Sequence, residues 1–229
     1  MYMNFKQIIN ESKNIVFFGG AGVSTESQIP DFRSSGGIFS QEYKYSPEIM
    51  LSHTFFTNNT EEFYKFYKEK MIFKDAKPNM AHKALSILEN SGRLLGVITQ
   101  NIDGLHQAAG SKNVLELHGS VHRNHCTRCY HLFPLSYVLE TFGVPLCNCG
   151  GVVKPDVVLY EEPLNPKTTE KAINLIKKAD VLIVGGTSLN VYPAAGMIDV
   201  FRGNHLILIN KSQTPADTRA SIVIRRPIG

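Results

Sequence analysis

The 229-residue sequence predicts an α/β protein built on a parallel sheet, with a smaller module inserted into it. Three observations carry that reading. Short apolar runs alternate with amphipathic helical stripes, the pattern of strands joined by right-handed crossovers. The runs Ile15–Phe18 and Val181–Val184 both end at paired glycines, as buried parallel strands feeding tight turns do. Two stretches, roughly 28–90 and 120–153, break the alternation.

Taken in order, Asn4 followed by Gln7 resembles a capping box opening a helix whose Phe5, Ile8 and Ile9 share a stripe. The first strand follows, closed by Gly19-Gly20. From Gln28 to Tyr45 periodicity disappears among Ser, Gly and Pro, which predicts a long functional loop. Thr60-Glu61-Glu62 starts a helix with acids where the macrodipole favours them, and Phe63, Phe66, Tyr67 and Met71 fall on one face. Ala81, Ala84, Leu85 and Leu88 form another stripe after Pro78-Asn79. Arg93–Thr99 and Asn113–Leu117 read as strands with a short helix between them. Asn165-Pro166 starts a helix that ends near Lys177-Lys178. The strands at 181–184, His205–Ile209 and Ile222–Ile224 complete the set. The expected organisation is a Rossmann-like parallel-sheet domain from 1–27, 91–119 and 154–229. A cofactor loop with helices occupies 28–90, and a cysteine-bearing insertion occupies 120–153.

Composition narrows the class. Hydrophobic residues make up 43% and charged residues 19%, so the chain can bury a core and is not of the disordered type. No apolar run approaches the roughly 18–20 residues that span a bilayer. Met1-Tyr2-Met3-Asn4-Phe5-Lys6 lacks the basic-then-apolar pattern of a signal peptide, so a cytoplasmic protein is expected. The net charge of +4 is spread over scattered Lys and Arg, which suits an anionic ligand and argues against nucleic acid.

Several local patterns carry chemistry. Gly19-Gly20-Ala21-Gly22 lies between a strand and an expected helix, where small residues let backbone N–H groups approach a pyrophosphate. A plain tight turn explains those glycines about as well, because Thr25 stands where the dinucleotide fingerprint has its third glycine. Asp31-Phe32-Arg33 supplies an acid, an aromatic plate and a phosphate-compatible guanidinium. Gln100-Asn101-Ile102-Asp103 sits at the carboxyl end of a strand, where open α/β sheets bind ligands; Asp103 can equally cap the next helix. His118 ends a strand just before Gly119, and an imidazole titrating near about 6.5 is a natural general base. His122, His125 and His131 read as residues of the insertion. Cys126-x-x-Cys129 with Cys147-x-Cys149 offers four thiolates for one structural, tetrahedral zinc, a better reading than a redox pair. His125 or His131 is the substitute if one cysteine cannot reach.

The run Gly20-Ala21-Gly22-Val23-Ser24-Thr25-Glu26-Ser27-Gln28-Ile29-Pro30-Asp31-Phe32-Arg33 resembles the hallmark segment of the sirtuin (Sir2) family of NAD-dependent protein lysine deacylases. The resemblance continues, in family order, through Gln100–Asp103, His118-Gly119, the cysteine pairs, Lys154–Val158, Gly186-Thr187-Ser188-Leu189 and Leu208-Ile209-Asn210. It implies a deacetylase that moves a lysine acetyl group to ADP-ribose and releases nicotinamide, with acetylated proteins or peptides as partners. It implies that Gly20, Ala21, Gly22, Thr25, Asp31, Phe32, Arg33, Gln100, Ile102, Gly186, Thr187, Ser188, Asn210 and Lys211 hold NAD+. Gln100 is assigned to the ribose, and Asn101, Ile102 and Asp103 to the nicotinamide pocket. His118 is implied as the base, in a catalytic set with Asn101 and Asp103. The segments Lys154–Glu162 and Ser188–Tyr192 match those that clamp a peptide as an added strand, with Val157, Val158, Tyr160, Asn190 and Val191 as contacts.

The chain departs from the family pattern in four places. The second cysteine pair is one residue short. Tyr160-Glu161-Glu162 stands where Phe-Gly-Glu is usual. Tyr64 matches the tyrosine of desuccinylase-type members, but Tyr67 replaces their arginine, so neutral acyl groups such as acetyl are expected. The sequence stops at Gly229 where family members usually continue into a final helix near the adenine, which implies weaker NAD binding. The alternatives are mono-ADP-ribosyl transfer and a non-catalytic zinc-dependent binding module.

Overall fold

A computed structural model describes residues 4–32, 37–38 and 43–229, so Arg33 lies outside the described residues. The chain begins with α1 (Phe5–Glu11) and β1 (Ile15–Gly19), then α2 (Pro47–Met50), α3 (His53–Asn58), α4 (Thr60–Lys70) and α5 (Met80–Asn90). β2 (Leu94–Thr99), α6 (Leu105–Ala108), β3 (Val114–Glu116), β4 (Gly119–Cys126), β5 (Leu132–Pro134), α7 (Leu135–Glu140) and β6 (Val153–Val157) follow. The remainder is α8 (Pro166–Lys178), β7 (Val181–Gly185), β8 (His205–Ile209) and β9 (Ile222–Ile224).

The larger lobe is a six-stranded sheet in the order β3-β2-β1-β7-β8-β9. Every pairing in it is parallel. Strand alternation divides its apolar side chains between two covered faces. Val16, Phe18, Leu182, Val184, Leu206 and Leu208 meet Ala172 and Ile176 of α8 on one face. Ile15, Phe17, Val181, Ile183 and Ile207 meet Ile8 of α1 and Ala81 and Leu85 of α5 on the other. The chain runs outward from β1 to β3 and returns to β7 beside β1. The crevice past the carboxyl ends of β1 and β7 is therefore the topological switch point at which such sheets bind ligands.

The smaller lobe has a single core drawn from both interrupting stretches. Phe55, Phe56, Phe63, Tyr64, Phe66 and Tyr67 of α3 and α4 pack against Val121, Val138 and Val153 of the cysteine-bearing part and against Val157 at the end of β6. Its sheet is antiparallel, ordered β5-β4-β6.

The expected helix starts hold. Asn4 and Gln7 form a reciprocal capping box, and the Asn165 side chain accepts from Thr168 N–H ahead of Pro166. The stripe expected on α5 is shifted in phase. Ala84 is exposed while His82 and Ser86 are buried, because the His82 ring packs on His106 of α6 with centroids 4.7 Å apart. No α-helix follows the glycine turn, only 3-10 turns at Ala21–Val23 and Thr25–Ser27. The N–H groups here reach back three residues and not four, Val23 to Gly20 O at 2.9 Å and Ser24 to Ala21 O at 3.0 Å, while Gly22 N–H donates to Gly186 O at 2.8 Å across the switch point. A helix N-terminus therefore contributes nothing to anion binding at this turn.

Candidate active site

A cleft of about 1030 Å³ runs between the lobes over the ends of β1, β2 and β7. Ala21, Gly22, Thr25, Asp31, Phe32, Gln100, Ile102, Gly186, Thr187, Ser188, Asn210 and Lys211 all line it, together with Asn101, Asp103 and His118. Two expected residues do not line it. Gly20 lies beneath the lining, its N–H donating to Gly185 O, and Asn190 is exposed outside it.

The glycines of the turn serve the approach of two backbones. A Cβ on Gly22 would sit 2.8 Å from the Gly186 Cα, and one on Gly20 would sit 2.8 Å from the Thr187 Cβ. The β1 and β7 loops thus form one floor, which Gln100 extends by donating from Nε2 to Thr187 Oγ1 at 3.2 Å.

Above that floor three polar side chains share a hub. Ser24 Oγ donates to Asp103 Oδ2 at 2.6 Å and accepts from Asn101 Nδ2 at 3.0 Å. Asp103 uses Oδ1 to accept from Leu105 N–H at 2.9 Å, which ties it to the first turn of α6, but the N-cap position of that helix is Gly104 and not Asp103 as expected. His122, read from the sequence as a residue of the insertion, also donates from Nε2 to Asp103 O at 3.0 Å and lines the cleft. A register irregularity in β4 between Ser120 and Asn124 re-aims it there.

His118 is oriented from two sides. Its Nδ1 lies 2.9 Å from Gln100 O; a carbonyl only accepts, so Nδ1 carries the proton and Nε2 keeps its lone pair. Burial pushes its pKa below the usual histidine value, and the Gln100 carbonyl offsets part of that shift. His118 is accordingly neutral at pH 7, the form that takes up a proton. The following residue has to be glycine: Gly119 has a φ of +76°, and a Cβ there would overlap Asp156 O of β6.

The far wall carries the expected peptide segment. Val158 N–H donates to His118 O at 3.0 Å, so this loop hangs from the histidine. Val157, Val158, Tyr160 and Val191 all line the cleft. Glu162 is anchored by Leu159 N–H, His53 Nδ1 and Lys154 Nζ at 2.9, 2.8 and 3.1 Å. Although burial opposes ionisation, these three partners hold its carboxyl below the usual range.

Away from the cleft, the Sγ atoms of Cys126, Cys129, Cys147 and Cys149 lie within 4.8 Å of one another. Two of the separations are 3.4 Å (Cys126–Cys149) and 3.6 Å (Cys129–Cys147). Zinc–thiolate bonds of about 2.3 Å in a tetrahedron put the sulfurs about 3.8 Å apart, so the set fits one structural zinc. The shortened pair still closes, because Gly150 takes a φ of +79° and its N–H donates to Cys147 O at 2.8 Å. Arg128 and Cys129 N–H groups point at Cys126 Sγ, favouring a thiolate. The substitutes are not needed: the His125 ring stacks on Tyr130 and the His131 ring packs on Phe133.

The Sir2 family model matches residues 20–193. This chain belongs to the Sir2 family. An NAD-dependent protein deacetylase of Clostridium tetani is 61% identical over 230 residues, covering 99% of this chain and 93% of that protein. One of Clostridium acetobutylicum is 60% identical over 228 residues, covering 98% and 93%. Among solved structures, a serine-to-alanine mutant of a Sir2 homologue in complex with ADP-ribose has a TM-score of 0.91 at 38% identity, covering 99% of this chain and 92% of that one. A Sir2 complex with a p53 peptide and NAD+ has a TM-score of 0.86 at 41% identity, covering 98% and 92%.

Two departures from the Sir2 pattern now have a structural account. Tyr64 and Tyr67 are buried in the smaller lobe and do not line the cleft; the Tyr64 hydroxyl donates to Val153 O. Burial raises the pKa of both phenols far above the usual value. Glu161 takes a φ of +75°, the left-handed region a glycine enters freely and a side chain enters at a cost of about 1–2 kcal/mol. Its carboxylate is held by Thr54, which lowers its pKa.

Proposed function

We propose that this Sir2 protein is an NAD-dependent protein lysine deacetylase, transferring the lysine acetyl group to ADP-ribose with release of nicotinamide. The observation that carries the mechanism is a neutral His118, locked to Gln100 and Val158, between the Ser24–Asn101–Asp103 hub and the loop at 157–162. Asn101, Ile102 and Asp103 hold the nicotinamide end of NAD+. Gly22, Thr25, Gln100, Gly186, Thr187 and Ser188 support its ribose and phosphates, with Asp31, Phe32 and Arg33 closing over them and Asn210 and Lys211 at the adenosine side. Gly20 acts from beneath.

The peptide enters beside Val157, Val158, Tyr160 and Val191, with Asn190 on the outer rim. As nicotinamide leaves, the acetyl oxygen bonds to the anomeric carbon of the ribose. His118 then takes the proton of a ribose hydroxyl at Nε2, and water completes release of free lysine and O-acetyl-ADP-ribose. The residues supply orientation and exclusion of water around that carbon. Zinc held by Cys126, Cys129, Cys147 and Cys149 stays structural, because four protein ligands leave no open position.

The strands of the large sheet all fall in 1–27, 91–119 and 154–229, which supports assigning those segments to NAD binding, 28–90 to the cofactor loop and helices, and 120–153 to the zinc insertion. No helix of the described residues is long and apolar enough to cross a membrane. A zinc site of free thiolates suits a reducing compartment, and we assign the protein to the cytoplasm.

Product identity tests this reading. O-acetyl-ADP-ribose in equal amount to deacetylated peptide is expected, whereas ADP-ribose attached to a protein side chain would move the assignment to mono-ADP-ribosyl transfer.

A further inference from the structure

Glu161 occupies a conformation that a side chain resists, and its carboxylate has a use there. With φ at +75°, the residue directs Oε2 to accept from both Thr54 N–H at 2.9 Å and Thr54 Oγ1 at 2.7 Å. Thr54 lies in the first turn of α3, on the smaller lobe. Backbone bonds run alongside: Tyr160 N–H donates to Leu51 O, and His53 N–H donates to Tyr160 O, both at 3.0 Å. Those bonds do not depend on the side chain at 161; the Thr54 pair does. The other end of the loop is fixed by Val158 N–H on His118 O. The loop is therefore suspended between the histidine and α3, and two side chains tie it to α3: Glu162 through His53 Nδ1 at 2.8 Å and Glu161 through both donors of Thr54.

We propose that Glu161 is a positioning residue for the acetyl-lysine peptide: its carboxylate latches the 158–162 loop to Thr54 and so sets the edge against which the substrate strand docks. This rests on the deacetylase reading. The latch acts on the peptide wall alone, since Thr25, Gln100 and Thr187 of the cofactor floor sit on other loops with their own bonds.

Four proteins separate a latch from a passive loop: wild type, Glu161→Gly, Glu161→Gln and Thr54→Val. Glycine adopts φ +75° without strain but deletes the carboxylate. Glutamine keeps an oxygen acceptor for both Thr54 donors. For Glu161→Gly the peptide KM is expected to rise about tenfold, equivalent to about 1.4 kcal/mol, while the NAD KM stays within about twofold. Glu161→Gln is expected to restore the peptide KM, and Thr54→Val to fall between. A peptide KM for Glu161→Gly at the wild-type level overturns the proposal, as does an NAD KM that rises in step with it. If the wild type shows no NAD-dependent deacetylation, the deacetylase reading fails first. Amide exchange at Thr54 then reads the latch by itself, slow in wild type and accelerated in Glu161→Gly; equal rates in the two proteins also overturn it.

Discussion

Ser24 and Asp103 lie 79 residues apart in sequence, yet their side chains share a hydrogen bond of 2.6 Å above the floor of the cleft. Asn101 donates to the same serine hydroxyl at 3.0 Å, so one small residue sets the orientation of two ligand-facing groups. A hydrogen bond to a charged group contributes about 1.5–3 kcal/mol, so Ser24→Ala is expected to lower kcat/KM about 10- to 100-fold. Steady-state kinetics beside a thermal melt checks this, and an unchanged kcat/KM would remove Ser24 from the site.

His118→Ala is expected to abolish turnover while NAD binding, measured by calorimetry, is retained. Burial disfavours the imidazolium, so the base takes up its proton at a lower pH than an ordinary histidine. The acid limb of kcat/KM is therefore expected below about pH 6.5. A limb centred above that value would mean that His118 is not the titrating base.

One zinc per chain is expected by native mass spectrometry. Cys126 and Cys147 are part of the apolar core that Phe63, Tyr64 and Tyr67 share, so loss of the metal is felt well beyond the four sulfurs. Chelation or Cys129→Ser should lower Tm and expose that core to a hydrophobic dye. A melt indifferent to chelator would contradict a structural role for the metal.

Acid stability follows from the buried pair His82 and His106. Burial, reinforced by His82, pushes the His106 pKa down to about 3. The folded state then binds fewer protons than the unfolded chain between about 6.5 and about 3, so the stability it contributes is complete above that window and is lost as pH falls through it. His106→Leu should flatten the decline of Tm between those limits. An equally steep decline in the variant would assign the acid sensitivity elsewhere.

Acetyl-lysine is expected to be preferred over succinyl-lysine by about tenfold or more in kcat/KM, because Tyr67 is a buried core residue and supplies no cation for an acidic acyl chain. Parallel assays on two peptides differing only in the acyl group decide it; equal rates would show another cation meeting the succinate.

Much of this architecture was legible from residues alone. Strands β1 and β7 announced themselves as apolar runs ending in glycine pairs, and the cysteines by their spacing. What stayed hidden depended on contacts between distant segments. Helices α2 and α3 are only four and six residues long and place Met50, Phe55 and Phe56 in a core completed by Val121 and Val153, so neither shows a stripe of its own. His122 reaches Asp103 only through an irregularity in β4 that no local pattern announces. In place of the helix expected after Gly22 stand two 3-10 turns, and the glycine turn is pinned by Gly22 N–H on Gly186 O, a partner far along the chain that no local pattern reveals. Ser24 stood within the motif that was read, but its partners lie on the loop after β2.

The most direct test of the central claim follows nicotinamide and peptide mass together, with purified protein and an acetyl-lysine peptide, in the presence and absence of NAD. Loss of the acetyl mass matched one-for-one by nicotinamide, and only when NAD is present, is the predicted result. Nicotinamide release from a peptide that stays acetylated, or no reaction by folded zinc-loaded protein, would contradict it.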